Sequence, residues 1–292
     1  MSDVRFALLA DTTCDLPREW YEQHDALFLP HGIVMDGKEY TDDFGATMPP
    51  EKVYAFIRDG GMPSTVQGSL EDFTRIFEEC CKNGQDVLYV GFSSQLSGTF
   101  NTACMVAGEM MEKYPGRQVV CFDSRAATMG HGIQVIEAQR LREQGMTARE
   151  TAAQLEKKRL GALHFFTVDD LNHLYRGGRL SKATAVVGSM LGIKPIMYVS
   201  DDGKLTPLGK KRGRRQAVEE LARLLLEYIR DPEKQTIYIA HGDCRGDAEE
   251  LAQLVREKLP QTPVDIFMLC PVIGVHSGPG TLAIFGWGEK RI

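Results

Sequence analysis

The sequence lacks the features that define several broad classes of protein. Its 292 residues include seven cysteines, an odd number, and no C-x-x-C pair, so neither a disulfide framework nor a zinc ribbon is indicated. No apolar run reaches the roughly 18 residues of a membrane span, and the N-terminal run is too short for a signal peptide. The net charge of -6 argues against a general nucleic-acid-binding surface. We therefore expect a cytoplasmic protein without a nucleic-acid partner and without stable membrane insertion.

Motifs for nucleotide binding and for serine hydrolysis are also missing. No G-x-x-x-x-G-K-[ST] occurs, and no G-x-G-x-x-G opens a helix, so the chain carries neither familiar phosphate-binding loop. A serine hydrolase of the elbow type needs G-x-S-x-G, but residues 91–95 read GFSSQ and place Gln95 where the closing glycine belongs. We predict no cofactor and no metal. Catalysis with Ser93 or Ser94 as the nucleophile is therefore a weaker hypothesis than ligand binding.

Short apolar runs alternate with helical patterns along the first half of the chain. The predicted strands cover residues 6–10, 27–34, 86–91 and 118–122. The predicted helices lie near 50–59, 70–82, 99–113, 127–144 and 148–160. Ser69 and Thr147 are each followed three residues later by an acidic residue, which resembles a capping box at two of these helix starts. This alternation predicts an N-terminal α/β domain, residues 1–161, with a parallel sheet covered on both faces.

The second half repeats the alternation with one clear hairpin. Its predicted strands cover 162–168, 193–199, 204–208, 235–241, 264–269 and 281–286, and its predicted helices lie near 181–191, 214–229 and 247–258. Asp201, Asp202 and Gly203 separate two strands and indicate antiparallel pairing. We predict a C-terminal α+β domain with a mixed sheet, residues 162–292. Because no flexible linker separates the halves, we expect a ligand cleft between them.

Polar side chains follow three predicted strands of the first half. They occupy residues 11–15, 93–99 and 123–128, each just before a helix. Ligands of open parallel sheets bind beyond the carboxyl ends of the strands, and helix N-termini favour anionic oxygen groups. Simple helix capping is the alternative for any one loop. Three such loops on one sheet edge favour a site for an anion.

The densest charge run is KKRGRR at 210–215, which we interpret as a solvated helix start. Five cations at a helix N-terminus oppose the helix dipole. We therefore expect compensation by a partner surface, by Glu219 and Glu220, or by a phosphate.

Six short motifs follow one another along the chain: DTTCDL at 11–16, TVQGS at 65–69, SSQLSGT at 93–99, DSRAATMGHG at 123–132, LNHLYRGGRLS at 171–181 and PVIGVHSGPG at 271–280. Each motif is weak alone, but the ordered set spans nearly the whole chain. In this order they resemble the DegV family, the fatty-acid-binding B subunits of bacterial fatty acid kinase. The resemblance implies two domains that bury one long-chain fatty acid. It also implies a lipid-binding subunit without catalysis of its own, whose bound carboxylate is phosphorylated by a separate ATP-dependent kinase subunit.

The resemblance also implies roles for particular residues. Thr65 and Ser93 or Ser94 would hold the fatty acid carboxylate, and His276, in a glycine-rich loop, would lie near that headgroup. Three arginines would face the kinase partner: Arg176, Arg179 and Arg212.

The chain departs from the family pattern near Thr65. Val66 replaces a serine, which would remove one donor beside the carboxylate, and Gly68 replaces a proline, which would loosen the loop. Two alternatives to this function remain. One is a stand-alone serine-dependent acyl hydrolase or transferase that uses Ser93 or Ser94 with His276, and the other is a binding module for a different anionic lipid or small acid.

Overall fold

The computed structural model describes residues 6–181 and 192–292. Within those residues the strands are β1 Phe6–Asp11, β2 Leu27–Leu29, β3 Gly32–Met35, β4 Lys38–Thr41, β5 Ser64–Val66, β6 Asp86–Gly91, β7 Val119–Asp123, β8 Ala162–Thr167, β9 Ile193–Val199, β10 Leu205–Arg212, β11 Ile237–His241, β12 Val264–Met268 and β13 Leu282–Trp287.

The helices of the same residues are α1 Arg18–Gln23, α2 Pro50–Arg58, α3 Leu70–Lys82, α4 Thr99–Lys113, α5 Thr128–Glu143, α6 Ala148–Lys158, α7 Asn172–Arg176, α8 Arg214–Tyr228, α9 Arg245–Lys258 and α10 Pro271–Ser277. The helix predicted near 181–191 lies, apart from its first residue, outside the described residues. Two predicted helix starts are confirmed. The Ser69 hydroxyl accepts the Asp72 N–H at the start of α3, and Thr147 forms a complete capping box with Glu150 at the start of α6.

The predicted parallel sheet is present and contains β2, β1, β6 and β7 in that order. All three pairings are parallel, so the carboxyl ends of the strands lie at one edge of the sheet. Every residue of β1 is buried, as expected for a strand covered by helices on both faces. The loops that follow β1, β6 and β7 therefore leave the sheet on the same side.

The second sheet is mixed and contains six strands in the order β10, β9, β8, β13, β11, β12. Its β11–β12 pair is parallel, and the other pairs are antiparallel. The predicted hairpin is the β9–β10 pair, in which Val199 lies opposite Leu205. The predicted fold class, a parallel-sheet α/β part followed by an α+β part, is confirmed. The boundary at residues 161 and 162 remains a prediction.

The single strand predicted over 27–34 is wrong. The structure divides it into β2, which joins the parallel sheet, and β3, which pairs with β4 and β5 in a separate antiparallel sheet. Pro30 and His31 lie between the two strands. A proline has no N–H to donate and a restricted φ, so it interrupts a strand that would otherwise continue.

Helix α5 lies between the two large sheets. It contacts β1 and β6 of the parallel sheet and β8, β11 and β13 of the mixed sheet. Thirteen of its sixteen residues are buried, which fits a helix enclosed on all sides rather than one with a single apolar stripe. One hydrophobic cluster accordingly joins Leu8 and Phe122 from the first part to Phe166 and Phe285 from the second.

Two local interpretations of the sequence are corrected. The basic run does not begin a helix, because Lys210, Lys211 and Arg212 are the last residues of β10 and only Arg214 and the residues after it are helical. His276 lies not in a loop but in the short helix α10, which begins at Pro271, a favoured first helical residue. Within 6–181 and 192–292, no helix combines the length and the hydropathy needed to cross a membrane.

Candidate ligand-binding site

A cavity of about 520 Å³ lies where the carboxyl edge of the parallel sheet meets the mixed sheet. Thr13, Leu96 and Thr128 line it from the loops and helix starts after β1, β6 and β7. Phe166 of β8 and Ala283 of β13 line it from the other side. The volume is within the range of small-molecule sites. The three loops singled out in the sequence thus converge on one cavity.

The cavity is apolar over much of its wall and polar where it reaches the surface. Its exposed lining residues are Met62, Ser64, Gln67 and Arg176, so it opens between segment 61–67 and helix α7. Its apolar wall includes Ile57, Phe92, Leu96, Phe166, Leu269 and Val275. Such a shape suits an amphiphile whose polar end lies at the opening.

Thr65 and His276, predicted to share a site, lie in hydrogen-bond contact near the opening. Thr65 belongs to the short strand β5, and His276 belongs to α10. The Thr65 hydroxyl and His276 Nε2 are 2.8 Å apart, although 211 positions separate them in sequence. Both residues line the cavity. The pair therefore presents two uncharged polar groups to a ligand.

Burial, with a smaller contribution from the positive charge of Arg179, lowers the pKa of His276 to about 4. The imidazole is therefore neutral at pH 7, with one protonated and one unprotonated nitrogen. A Cβ added to Gly177 would lie 2.4 Å from His276 Nδ1, so the backbone at 177 contacts that nitrogen directly. Gly177 and Thr65 thereby bracket the ring and fix its orientation.

Ser93 and Ser94, the other predicted carboxylate contacts, are placed elsewhere. The buried Ser93 hydroxyl donates to the carbonyl oxygen of Gly203 at 2.8 Å, and the Ser94 hydroxyl donates to Asp123 Oδ2 at 2.6 Å. Neither serine lines the cavity, and neither contacts His276. Ser93 and Ser94 therefore form no serine–histidine pair with His276, the pair that the hydrolase alternative requires.

The polar residues at the strand ends connect the loops to one another. The carboxylate of Asp11, at the end of β1, accepts the Phe92 N–H of the second loop at 2.8 Å and the Tyr89 hydroxyl at 2.8 Å. Asp123, at the end of β7, accepts Ser94 of the same loop. The N-cap residues of α4 and α5, Gly98 and Ala127, make no side-chain hydrogen bond, but Ser97 Oγ accepts the Thr99 N–H at 3.3 Å, so capping accounts for only part of the polar residues in these loops.

Ser97 and Gln67 line the cavity and were not among the predicted site residues. The Ser97 N–H donates to the Ser93 carbonyl oxygen, which closes a turn and brings Ser97 to the cavity side of the loop. Its hydroxyl shares a 2.9 Å hydrogen bond with Thr99 Oγ1. In the sequence Ser97 directly precedes the glycine that begins the helical pattern, but this position does not show which way its hydroxyl points.

Val66 and Gly68, which replace a serine and a proline of the family pattern, have different consequences from those expected. Val66 does not line the cavity, and its side chain faces Gly32 across the β3–β5 pair, where a Cβ would lie 2.9 Å from Val66 Cβ. Alternate residues of a strand point to opposite faces, so Thr65 faces the cavity and Val66 faces away. Gly68 donates its N–H to Thr99 Oγ1 at 3.3 Å, a bond that proline could not make.

Two of the predicted partner-facing arginines also line the cavity. Arg176 is exposed and its guanidinium lies 3.0 Å from His173 Nδ1. Arg179 is half-buried, and its Nε donates to the Leu96 carbonyl oxygen at 2.8 Å while Nη1 donates to the Gly177 carbonyl oxygen. Burial lowers the pKa of Arg179, but the starting value is so high that the group stays charged.

Arg212 is exposed at the end of β10 and does not line the cavity. Glu220 pairs with Lys211 at 3.0 Å, and Glu219 pairs with Arg215 at 3.0 Å. Glu219 and Glu220 were one of the three expected sources of compensating negative charge. They pair with two cations of the basic run, Arg215 and Lys211. Arg212 has no ion pair within the described part of the chain.

A protein-family model described as an uncharacterised protein of the DegV family matches residues 5–287. The chain is also 39% identical to a DegV domain-containing protein of Clostridium perfringens over 98% of this chain and 99% of that one. A DegV domain-containing protein of Streptococcus pyogenes is 34% identical over the same shares. The chain therefore belongs to the DegV family.

Solved structures share the fold over nearly the whole chain. A DegV family protein from Thermus thermophilus, described by its fatty acid binding, is 29% identical with a TM-score of 0.85 and covers 97% of this chain and 99% of its own. A fatty acid binding DegV family protein from Streptococcus agalactiae is 27% identical with a TM-score of 0.86, over 97% and 98%. DegV of Bacillus subtilis, described as a fatty acid binding protein, is 28% identical with a TM-score of 0.82, over 97% and 99%.

Proposed function

We propose that this protein binds a long-chain fatty acid in the 520 Å³ cavity, with the carboxylate beside Thr65 and His276 and the chain along the apolar wall. The observation that carries the proposal is the uncharged Thr65–His276 pair at the open end of an otherwise largely apolar cavity. The fatty acid binding ascribed to the Thermus, Streptococcus and Bacillus family members supports it.

The acyl chain supplies most of the affinity in this proposal. Burying about fourteen methylenes at roughly 0.8 kcal/mol each gives on the order of 10 kcal/mol before the entropic losses of binding. The headgroup fixes the register of the chain. A buried carboxylate needs hydrogen-bond donors. When His276 Nε2 carries a proton and donates it to Thr65 Oγ1, the Thr65 hydroxyl proton is free for the carboxylate, without a salt bridge.

Of the predicted carboxylate contacts we retain Thr65 and His276 and assign Ser97 in place of Ser93 and Ser94. Ser97 lines the cavity, and its hydroxyl proton is free for the ligand when Thr99 Oγ1 is the donor in their shared hydrogen bond. The other two serines do not line the cavity, and their hydroxyls donate to Gly203 and Asp123. Arg179 contributes positive potential but donates to backbone carbonyls, so it does not clamp the carboxylate. The acid oxygen thus retains the nucleophilicity that acyl-phosphate formation requires.

We also propose that a separate ATP-dependent kinase subunit phosphorylates the bound carboxylate. The polar end of the cavity opens beside Arg176 and Arg179, and Arg212 supplies an exposed cation without an ion pair among the described residues. An acidic partner surface or the phosphates of ATP would complement these charges. In this arrangement the cleft lies between an N-terminal domain, residues 1–161, and a C-terminal domain, residues 162–292.

Lipid extraction tests the binding proposal. Protein purified from a bacterial host and denatured in organic solvent should release a long-chain fatty acid in near-stoichiometric amount by mass spectrometry. Delipidated protein should take up stearate in a titration. A preparation that is free of lipid and does not bind stearate would contradict the proposal. Acyl-phosphate formation from bound fatty acid on addition of a fatty acid kinase subunit and ATP tests the second step.

A further inference from the structure

Two histidines line the cavity away from the Thr65–His276 pair. His31 follows β2, and His164 lies in the middle of β8. Each side chain is 5% exposed. A site for an unmodified hydrocarbon chain has no use for imidazoles in its wall, because a buried polar atom without a partner is unfavourable.

His164 lies between aromatic rings where a phenylalanine would pack as well. Its ring centroid is 5.5 Å from that of Phe166 and 4.5 Å from that of Phe285. Nδ1 is buried without a hydrogen-bond partner, and Nε2 makes no hydrogen bond to the described residues either. Burial and the charge of Arg291 lower the pKa of His164 to about 3, so the ring is neutral. Packing alone therefore gives no reason for a histidine here.

The two nitrogens of His164 face different surroundings. Nδ1 is fully enclosed and lies 3.2 Å from the point where a Cβ on Gly130 would be, so the first turn of α5 closes off that edge. The ring still lines the cavity and retains its small exposed area. The edge that carries Nε2 is consequently the one that meets the cavity.

His31 lines the same cavity and is held by Asp11. Its Nε2 lies 3.3 Å from Asp11 Oδ1. Burial tends to raise the pKa of Asp11. The net shift is downward, because His31, His131 and the Phe92 N–H stabilise the carboxylate. Asp11 is therefore ionised. An ionised carboxylate only accepts, so His31 Nε2 is the donor in this contact.

Two threonines with hydroxyls unpartnered in the described part of the chain also line the cavity. Thr13 and Thr128 line the cavity, are 2% and 4% exposed, and have no hydrogen-bond partner for Oγ1 within 6–181 and 192–292. Thr128 also has a φ of +51°, which is strained for a β-branched residue. Backbone strain of this kind occurs preferentially at ligand sites.

We propose that the preferred ligand is a fatty acid with a hydroxyl group along its chain, which hydrogen-bonds to His164 Nε2 in the cavity that His31, Thr13 and Thr128 also line. The inference rests on the proposed fatty acid binding and specifies its substrate class. A hydroxyl both donates and accepts, so it pairs with either tautomer of a neutral His164. A plain alkyl chain would leave the imidazole unpaired, and a site built around a hydrogen bond discriminates against the ligand that lacks it.

The test is a competition experiment with delipidated full-length protein. A fluorescent fatty acid is displaced by stearate and by octadecanoic acids that carry one hydroxyl at successive chain positions. We expect at least one positional isomer to bind about tenfold more tightly than stearate, the gain from one buried hydrogen bond. If no isomer binds more tightly than stearate, the inference is wrong, while the proposed fatty acid binding stands. If neither stearate nor any isomer binds, the proposed function itself fails.

Three variants locate the contact. His164→Phe should remove the preference for the hydroxylated isomer and bind stearate more tightly than wild type. His164→Gln, which keeps a donor and an acceptor, should retain part of the preference. Phe166→Leu, two residues along the same strand, is the matched control and should weaken both ligands alike. A preference that survives in His164→Phe would overturn the assignment of the contact.

Discussion

The Asp15 carboxylate accepts the backbone N–H of Cys270 at 2.9 Å and so joins the turn after β1 to the residue before α10. Its second oxygen, Oδ2, is buried and has no hydrogen-bond partner among residues 6–181 and 192–292. Burial raises the pKa of Asp15 to about 7, with a smaller contribution from Asp42. The Asp15 carboxyl group therefore holds the N-terminal end of α10, the helix that carries His276.

Asp15 should make the stability of the protein fall as pH rises. Its pKa is about 7 in the folded chain and about 3.9 in the unfolded chain, so the folded state binds more protons between these values. The free energy of unfolding loses up to about 1.4 kcal/mol per pH unit from this group. Asp15→Asn should thus become progressively more stable than wild type from pH 5 to about pH 7 in urea denaturation, and the difference should level off above that pH. Asp36→Asn, at an exposed turn, is the control. If the difference in the free energy of unfolding between Asp15→Asn and wild type did not change with pH, the raised pKa of Asp15 would be contradicted.

Many strand bounds and most bounds of the longer helices followed from apolar periodicity because burial in this fold is extensive. β6 and α3 occur at the predicted residues, 86–91 and 70–82. Short elements were missed, such as β4, β5 and α7, since three to five residues hold too little periodicity to detect. These missed elements carry Thr65 and Arg176 to the opening of the cavity.

The site was predictable in part. The family motifs indicated Thr65 and His276, and their contact joins residues from distant parts of the chain. The choice among Ser93, Ser94 and Ser97 could not be made from the sequence, because it depends on which way a tight turn directs each hydroxyl. The polar inner wall at His164 carried no sequence signal, since a histidine within a strand resembles any structural histidine.

Thr65→Val should weaken stearate binding about tenfold, because it removes one hydroxyl that donates to the carboxylate and contacts His276. Thr65→Ser keeps the hydroxyl and should restore most of the affinity. Isothermal titration with delipidated protein measures both variants, with thermal unfolding to verify the fold. Equal affinities for the valine and serine variants would remove Thr65 from the headgroup site.

Gly177→Ala should also weaken stearate binding, because the new side chain displaces His276. The added Cβ would lie 2.4 Å from His276 Nδ1 and would displace the ring from Thr65. Gly108→Ala is the matched control, because nothing lies within 4 Å of its Cβ position in the middle of α4. That control should keep wild-type binding and gain about 0.5–1 kcal/mol of stability. Unchanged binding in Gly177→Ala would show that the ring is free to move.

Val66→Ser restores the residue of the family pattern and should leave stearate affinity within about twofold of wild type, a change smaller than that of one hydrogen bond. The reason is geometric, since Val66 faces Gly32 rather than the cavity. A calorimetric titration of the single variant is sufficient. A several-fold gain in affinity would mean that position 66 turns toward the ligand.

Arg212→Glu should separate the two steps of the proposed function. Arg212 lies outside the cavity lining, so the dissociation constant for stearate should stay at the wild-type value. Acyl-phosphate formation with a fatty acid kinase subunit should fall at least tenfold at low salt, because a cation that meets an acidic partner is replaced by an anion. Lys234→Glu is the control for the change in net charge. Lys234 lies in the 3₁₀ turn before β11, and its side chain is 70% exposed. Equal rates for the two variants would place the partner surface away from β10.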